Sequence, residues 1–139
     1  MTLLGEPERA AVGELFAGIE RDVELLLELG PSSEAVTVIG GRREVEPGAE
    51  TQRLVAELVE LSERVSVRVV ERDEPGRYPV LTIGGGLRYH GLPWGYELSS
   101  LVYGIAEAGR PEPTLAEETR RALAGLERDV ELEVYVTPT

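Results

Sequence analysis

The 139-residue chain is the size of one compact domain and carries 26 acidic against 14 basic residues, for a formal charge of -12. It has no cysteine, one histidine, one tryptophan and one phenylalanine, and every basic residue is arginine. These counts exclude disulfides, zinc-finger sites and thiol nucleophiles; they leave no usual ligand set for a metal, so no metal or cofactor is expected, and they disfavour binding to phosphate backbones.

The first residues, Met1-Thr-Leu-Leu-Gly-Glu-Pro-Glu-Arg9, lack a basic region followed by an apolar core. The apolar runs, such as Leu25-Leu26-Leu27, are far shorter than the roughly 18–20 residues needed to span a bilayer. A soluble, cytoplasmic protein with no membrane partner is therefore expected.

Pro7 suits the first turn of a helix, and Ala11, Val12, Leu15, Phe16 and Ile19 follow at helical spacing, which predicts a helix over 6–20. Val23, Leu25, Leu27 and Leu29 alternate with Glu24 and Glu28, which predicts a strand closed by Gly30-Pro31. Residues 31–48 read as a hairpin. Leu54, Val55, Leu58, Val59 and Leu61 predict a second helix over 50–64, and Val65, Val67 and Val69 the strand after it. Past the turn at 73–76, strands over 80–83 and 87–90 flank Gly84-Gly85-Gly86. Leu98, Leu101, Val102 and Ile105 mark a third helix stopped by Gly109. Thr114 and Glu117 fit a capping box opening a fourth helix, and Val130, Leu132, Val134 and Val136 alternate as a last strand. Alternating helices and strands imply one sheet with helices packed on its faces.

An internal repeat adds to this. Ala17-Gly-Ile-Glu-Arg-Asp-Val-Glu-Leu25 recurs as Ala124-Gly-Leu-Glu-Arg-Asp-Val-Glu-Leu132, at an offset of 107 and with only Ile19 and Leu126 differing. Chance similarity of two acidic corners is the plain alternative. A duplicated architecture explains it better: one unit over 1–110, and over 111–139 the first helix and strand of another.

The segment Gly91-Leu-Pro-Trp-Gly-Tyr-Glu-Leu98 resembles the Gly-x-Pro-x-Gly-x-Glu-Phe stretch of glutaredoxin-like protein disulfide oxidoreductases, which carry two thioredoxin-like units in tandem. The N-terminal domain of the flavoprotein subunit of alkyl hydroperoxide reductase is similar. The resemblance runs from about residue 5 to 139, with 31–48 matching poorly, and Gly91, Pro93, Gly95 and Glu97 carry its motif. It implies an α/β thioredoxin-like fold with a mixed central sheet and flanking helices. It also implies a cis-proline at Pro79, behind Tyr78, and a Cys-x-x-Cys slot at Ser33-Glu34-Ala35-Val36. Serine there offers no thiolate, so the slot is degenerate. Ser33, Val36, Tyr78 and Pro79 are the candidate groove.

Other features read as structure. Gly84-Gly85-Gly86 precedes a strand rather than a helix N-terminus, so it is a hairpin turn and not a phosphate loop. His90 has no partnered nucleophile, and the glutamates (Glu20, Glu24 and Glu28; Glu131 and Glu133) read as solvated faces rather than acid–base pairs. Trp94 and Tyr96 fit either a docking patch or burial against the sheet edge. The expected function is a redox-inactive module, inactive alone, supporting a catalytic unit of a thiol–disulfide oxidoreductase concerned with cell redox homeostasis. The alternative is a stand-alone peptide-binding or dimerisation domain. Expected partners are the catalytic thioredoxin-like unit, a client protein or a second copy.

Overall fold

The computed structural model describes residues 2–31, 37–39 and 43–136. Helix α1 spans Glu6–Phe16, with Gly5 at its N-cap and Pro7 in its first turn. Strand β1 is Val23–Leu29, and β2 (Thr37–Ile39) and β3 (Arg43–Val45) form a small antiparallel hairpin of their own. Helix α2 is Pro47–Val59, followed by strand β4 (Val65–Glu71), strands β5 (Val80–Ile83) and β6 (Leu87–His90), helix α3 (Tyr96–Ala108) and helix α4 (Glu117–Ala124). The main sheet runs β4-β1-β5-β6, with β1 parallel to β4 and antiparallel to β5. This is a mixed sheet of the thioredoxin-like α/β kind.

Period-two patterning on β1 decides which side is dry. Val23, Leu25 and Leu27 are buried and stand opposite Val65 on one neighbour and Ile83 and Leu81 on the other. Phe16 of α1, Leu54 and Leu58 of α2, and Leu101 and Ile105 of α3 join them in one core cluster. The opposite face carries Glu24, Ser66, Arg68 and Arg88, all exposed. Helices α1, α2 and α3 therefore cover one face of the sheet, and among the described residues no helix layer covers the other, whereas alternation alone suggested both. The glutamates of the wet face are paired with arginines: Glu24 with Arg68 at 3.6 Å and Glu28 with Arg72 at 2.7 Å, while Asp22 meets Arg64 at 3.1 Å. Exposed pairs of this kind stabilise by about 0–1 kcal/mol each, so their main effect is to keep that face soluble while burial drives folding.

Several boundaries differ from the sequence reading. α1 ends at Phe16 rather than 20, because the Glu20 and Arg21 amides both turn to donate to the Gly109 carbonyl at 2.9 and 3.0 Å. α2 begins at Pro47, where a proline at the helix start loses no hydrogen bond. The capping box does not form. Ala116 is the N-cap of α4, and Thr114 instead donates its amide (2.6 Å) and hydroxyl (2.9 Å) to the Glu107 carboxylate at the end of α3. Among the described residues, 127–136 form no strand, and the tail does not pack on the unit as a paired last strand would. A strand exists only where a neighbour accepts its backbone groups, and this segment adds to neither edge of the sheet. Among the described residues no helix is long and apolar enough to cross a membrane.

The repeat now has two environments. Ile19, Val23 and Leu25 are 7%, 4% and 0% exposed, whereas their counterparts Leu126, Val130 and Leu132 are 56%, 61% and 86% exposed.

Leu27→Ala should cost about 2–5 kcal/mol, since it opens a cavity in the closed core, whereas Leu132→Ala should stay within about 0.5 kcal/mol; urea unfolding of both variants measures the contrast. The two hydrogen bonds from Thr114, followed by the nearby Arg110, hold the Glu107 carboxyl below its ordinary range. A folded value below the unfolded one means the clasp contributes fully above the ordinary carboxylate range and is lost as pH falls through the lowered folded value. Exchange of the Thr114 amide should accelerate across that acidic window, and in Glu107→Gln it should be fast already at neutral pH.

Candidate functional site

The site lies at the carboxyl ends of β1 and β4, where open α/β sheets place their ligands. β1 stops at Leu29 because Gly30-Pro31 cannot continue the ladder, although the Leu29 carbonyl still accepts the Arg72 amide at 2.7 Å. The loop after β4 returns over this end and delivers Tyr78 and Pro79, whose peptide bond is cis. The Tyr78 ring lies against two glycines: a Cβ on Gly30 would stand 2.5 Å from its Cε2, and one on Gly76 would stand 2.9 Å away. Only glycine permits that approach. Desolvation raises the Tyr78 phenol, with Glu74 and Glu28 adding to the effect, so the ring stays neutral.

Helix α2 supplies the other wall. The Glu46 side chain folds back over the helix start and accepts the Gly48 and Ala49 amides at 3.0 and 2.5 Å. These are the orphan donors of the first turn, and the carboxylate also meets the positive end of the helix dipole. Between the walls is a cleft of about 260 Å³ lined by Gly30, Glu46, Gln52, Glu71, Tyr78 and Pro79. It contains carboxylates and a neutral phenol. A thiolate at a helix N-terminus is lowered in pKa and made reactive by such amides and dipole. Here the chain's own carboxylate holds that position.

Of the four candidate groove residues, Tyr78 and Pro79 line the cleft, while Ser33 and Val36 lie outside the described residues. The Gly-x-Pro-x-Gly-x-Glu motif is not in the cleft. It forms the corner into α3, tied to the site by the Gly91 amide, which donates to the Pro79 carbonyl at 2.8 Å. Gly91 (φ 91°) and Gly95 (φ 64°) adopt backbone conformations that side chains resist, Pro93 is buried, and burial raises the Glu97 carboxyl. Trp94 packs partly against the core, whereas Tyr96 is exposed. His90 is exposed, with Nδ1 3.4 Å from the Arg77 carbonyl oxygen. Gly84-Gly85-Gly86 is the β5–β6 turn. Among the described residues no group of three His, Asp or Glu side chains could hold a metal ion. Glu46 was missed from sequence because Pro47-Gly48 looks like turn punctuation. An acidic residue directly before a proline that opens an apolar periodicity was the available signal.

Glu46→Ala should lower stability by about 0.5–2 kcal/mol through loss of the cap. Gly30→Ala should cost about 1–3 kcal/mol by pushing the Tyr78 ring aside, and Tyr78→Ala in the same chain should recover part of that loss; thermal unfolding of the three variants and the double variant checks both.

No family model matches the chain. By sequence it is similar to AhpF, an alkyl hydroperoxide reductase component of Xanthomonas campestris pv. phaseoli, at 37% identity over 87 residues that cover 59% of this chain and 16% of that protein. By structure it is similar to the NTD_N/C domain of alkylhydroperoxide reductase AhpF from Enterococcus faecalis, with a TM-score of 0.71, 20% identity and coverage of 90% of this chain and 62% of that one. It is also similar to a protein disulfide oxidoreductase from Aeropyrum pernix, with a TM-score of 0.71, 25% identity and coverage of 91% and 56%. The chain thus spans less than two thirds of the proteins it matches. The relationship suggested by the Gly91–Glu97 motif stands: the chain is a thioredoxin-like module, similar to the N-terminal domain of AhpF and to a protein disulfide oxidoreductase.

Proposed function

We propose that the chain is the redox-inactive first unit of a two-unit, glutaredoxin-like protein disulfide oxidoreductase architecture, and that it supports a catalytic Cys-x-x-Cys unit. The observation that carries this reading is the Glu46 carboxylate capping α2 beside the cis-proline cleft. Disulfide exchange needs a thiolate to attack sulfur, and the sequence has no cysteine. What the unit retains is the scaffold of the cis-proline corner and the mixed sheet, and the corner sequence repeated at 124–132 fits the opening of a second unit. On this reading residues 1–110 are the degenerate unit, 111–139 open the next, and the protein works in the cytoplasm.

A second reading rests on the cleft alone. It is lined by Glu46 and Glu71 together with Pro79, which suits an extended peptide carrying a basic side chain, held by a stand-alone binding domain.

With dithiothreitol as reductant, insulin should precipitate at the uncatalysed rate in the presence of the 139-residue chain. Turnover above that rate would overturn the redox-inactive reading.

A further inference from the structure

The two outer edges of the main sheet use their charges differently. Arg64, Arg68 and Arg72, on or beside β4, are paired with Asp22, Glu24 and Glu28, on or beside β1. At the other edge, β6 has β5 on one side and no strand on the other among the described residues. Its Arg88 meets no acidic group there, and neither does Arg77, whose carbonyl oxygen lies 3.4 Å from His90 Nδ1 at the end of the same strand.

The two faces of β6 have opposite chemistry. Its register sets Leu87 beside Ile83 and Tyr89 beside Leu81, on the core side, and Arg88 beside Thr82 and His90 beside Val80, on the other. Helix α3 borders the core side closely. A Cβ on Gly104 would stand 2.8 Å from Leu87 Cδ2, and the Tyr89 hydroxyl oxygen is 2.7 Å from Ser100 Oγ. Tyr96 and Tyr103 stand four and three residues from Ser100, on the same stripe of the helix, and both are exposed. Among the described residues up to 110, the exposed large apolar side chains are Val69, Leu87, Tyr96 and Tyr103, so three of the four gather at this edge.

We propose that β6 is a docking edge for an extended segment of a partner protein in which apolar and acidic residues alternate. The segment adds a strand beyond β6, where the edge offers unpaired backbone groups. Its apolar side chains then face Leu87, Tyr89 and the α3 tyrosines, and its acidic ones face Arg88, with His90 and Arg77 at the end of the row. A segment alternating apolar and basic residues would instead set like charges together. Elsewhere the net charge of -12 repels an acidic segment, which confines it to this edge. β6 has four residues, so the contact is small and reversible. No residue of β6 lines the cleft, so the two sites are distinct.

The probe is an acetylated, amidated hexapeptide alternating valine and glutamate, titrated into the isotope-labelled 139-residue chain. Amide shifts should concentrate at 87–90 and 100–104. A peptide alternating valine and lysine should bind roughly fivefold more weakly, and Arg88→Glu, at an exposed position that leaves Tm unchanged, should reverse that order. Of two peptides N-methylated on their valines or on their glutamates, one should lose binding, because only one set of amides faces the edge. The proposal is overturned if the valine–glutamate peptide shifts the Gly48 and Tyr78 amides of the cleft instead. It is equally overturned if the lysine peptide binds the native chain as well, or if nothing shifts at 87–90.

Discussion

The fold depends on one corner. Two successive amides, Glu20 and Arg21, converge on the single carbonyl of Gly109, and Ile19 closes over the glycine that bears it. This contact joins the end of α3 to the start of β1 and fixes the angle at which β1 enters the sheet. β1 is paired on both sides, parallel to β4 and antiparallel to β5, and its buried positions touch all three core helices through one cluster. Without the corner the central strand has no defined entry. The N-terminal segment is held by a separate clasp, in which Glu57 of α2 accepts the Leu3 and Leu4 amides.

The cleft is built from what remains at the far end of the same strand. Leu29 and Gly30 end β1, the loop after β4 lays Tyr78 over Gly30, and Pro79 hands its carbonyl to Gly91. The motif at 91–97 therefore acts at one remove, bracing the cis-proline corner against α3. Glu46 completes the wall and satisfies the α2 amides internally. In this thioredoxin-like scaffold the amides and dipole at the start of α2 are occupied by the chain's own Glu46 carboxylate, which serves as a structural cap.

Much of this was legible from residue patterns. Strand β1, the β5–β6 hairpin with its glycine turn, and α3 with its Gly109 stop all announce themselves through period and punctuation. The start of α2 did not, because Pro-Gly ordinarily marks a turn and only the returning Glu46 side chain makes it a first helical turn. The capping box at Thr114 failed for a related reason. A threonine bonds whichever partner stands nearest, and the end of α3 brought Glu107 there first. The one-sided sheet was also hidden, since alternation on β1 is equally consistent with a wet face or a second helical layer.

Local sequence determined that residues 17–25 form a corner and that 124–132 have the same inclination. It could not determine which copy is buried. Leu25 is closed in the core and Leu132 is open to water, though the residues around them are nearly identical. The difference lies with the partners: Gly109, Arg64, β4 and β5 surround the first corner, and among the described residues no equivalent set surrounds the second. The composition excluded thiol chemistry outright. Only the tertiary structure placed Glu46 and the cis Tyr78–Pro79 bond on either side of one cleft, because residues 32 apart along the chain meet there only once the sheet has formed.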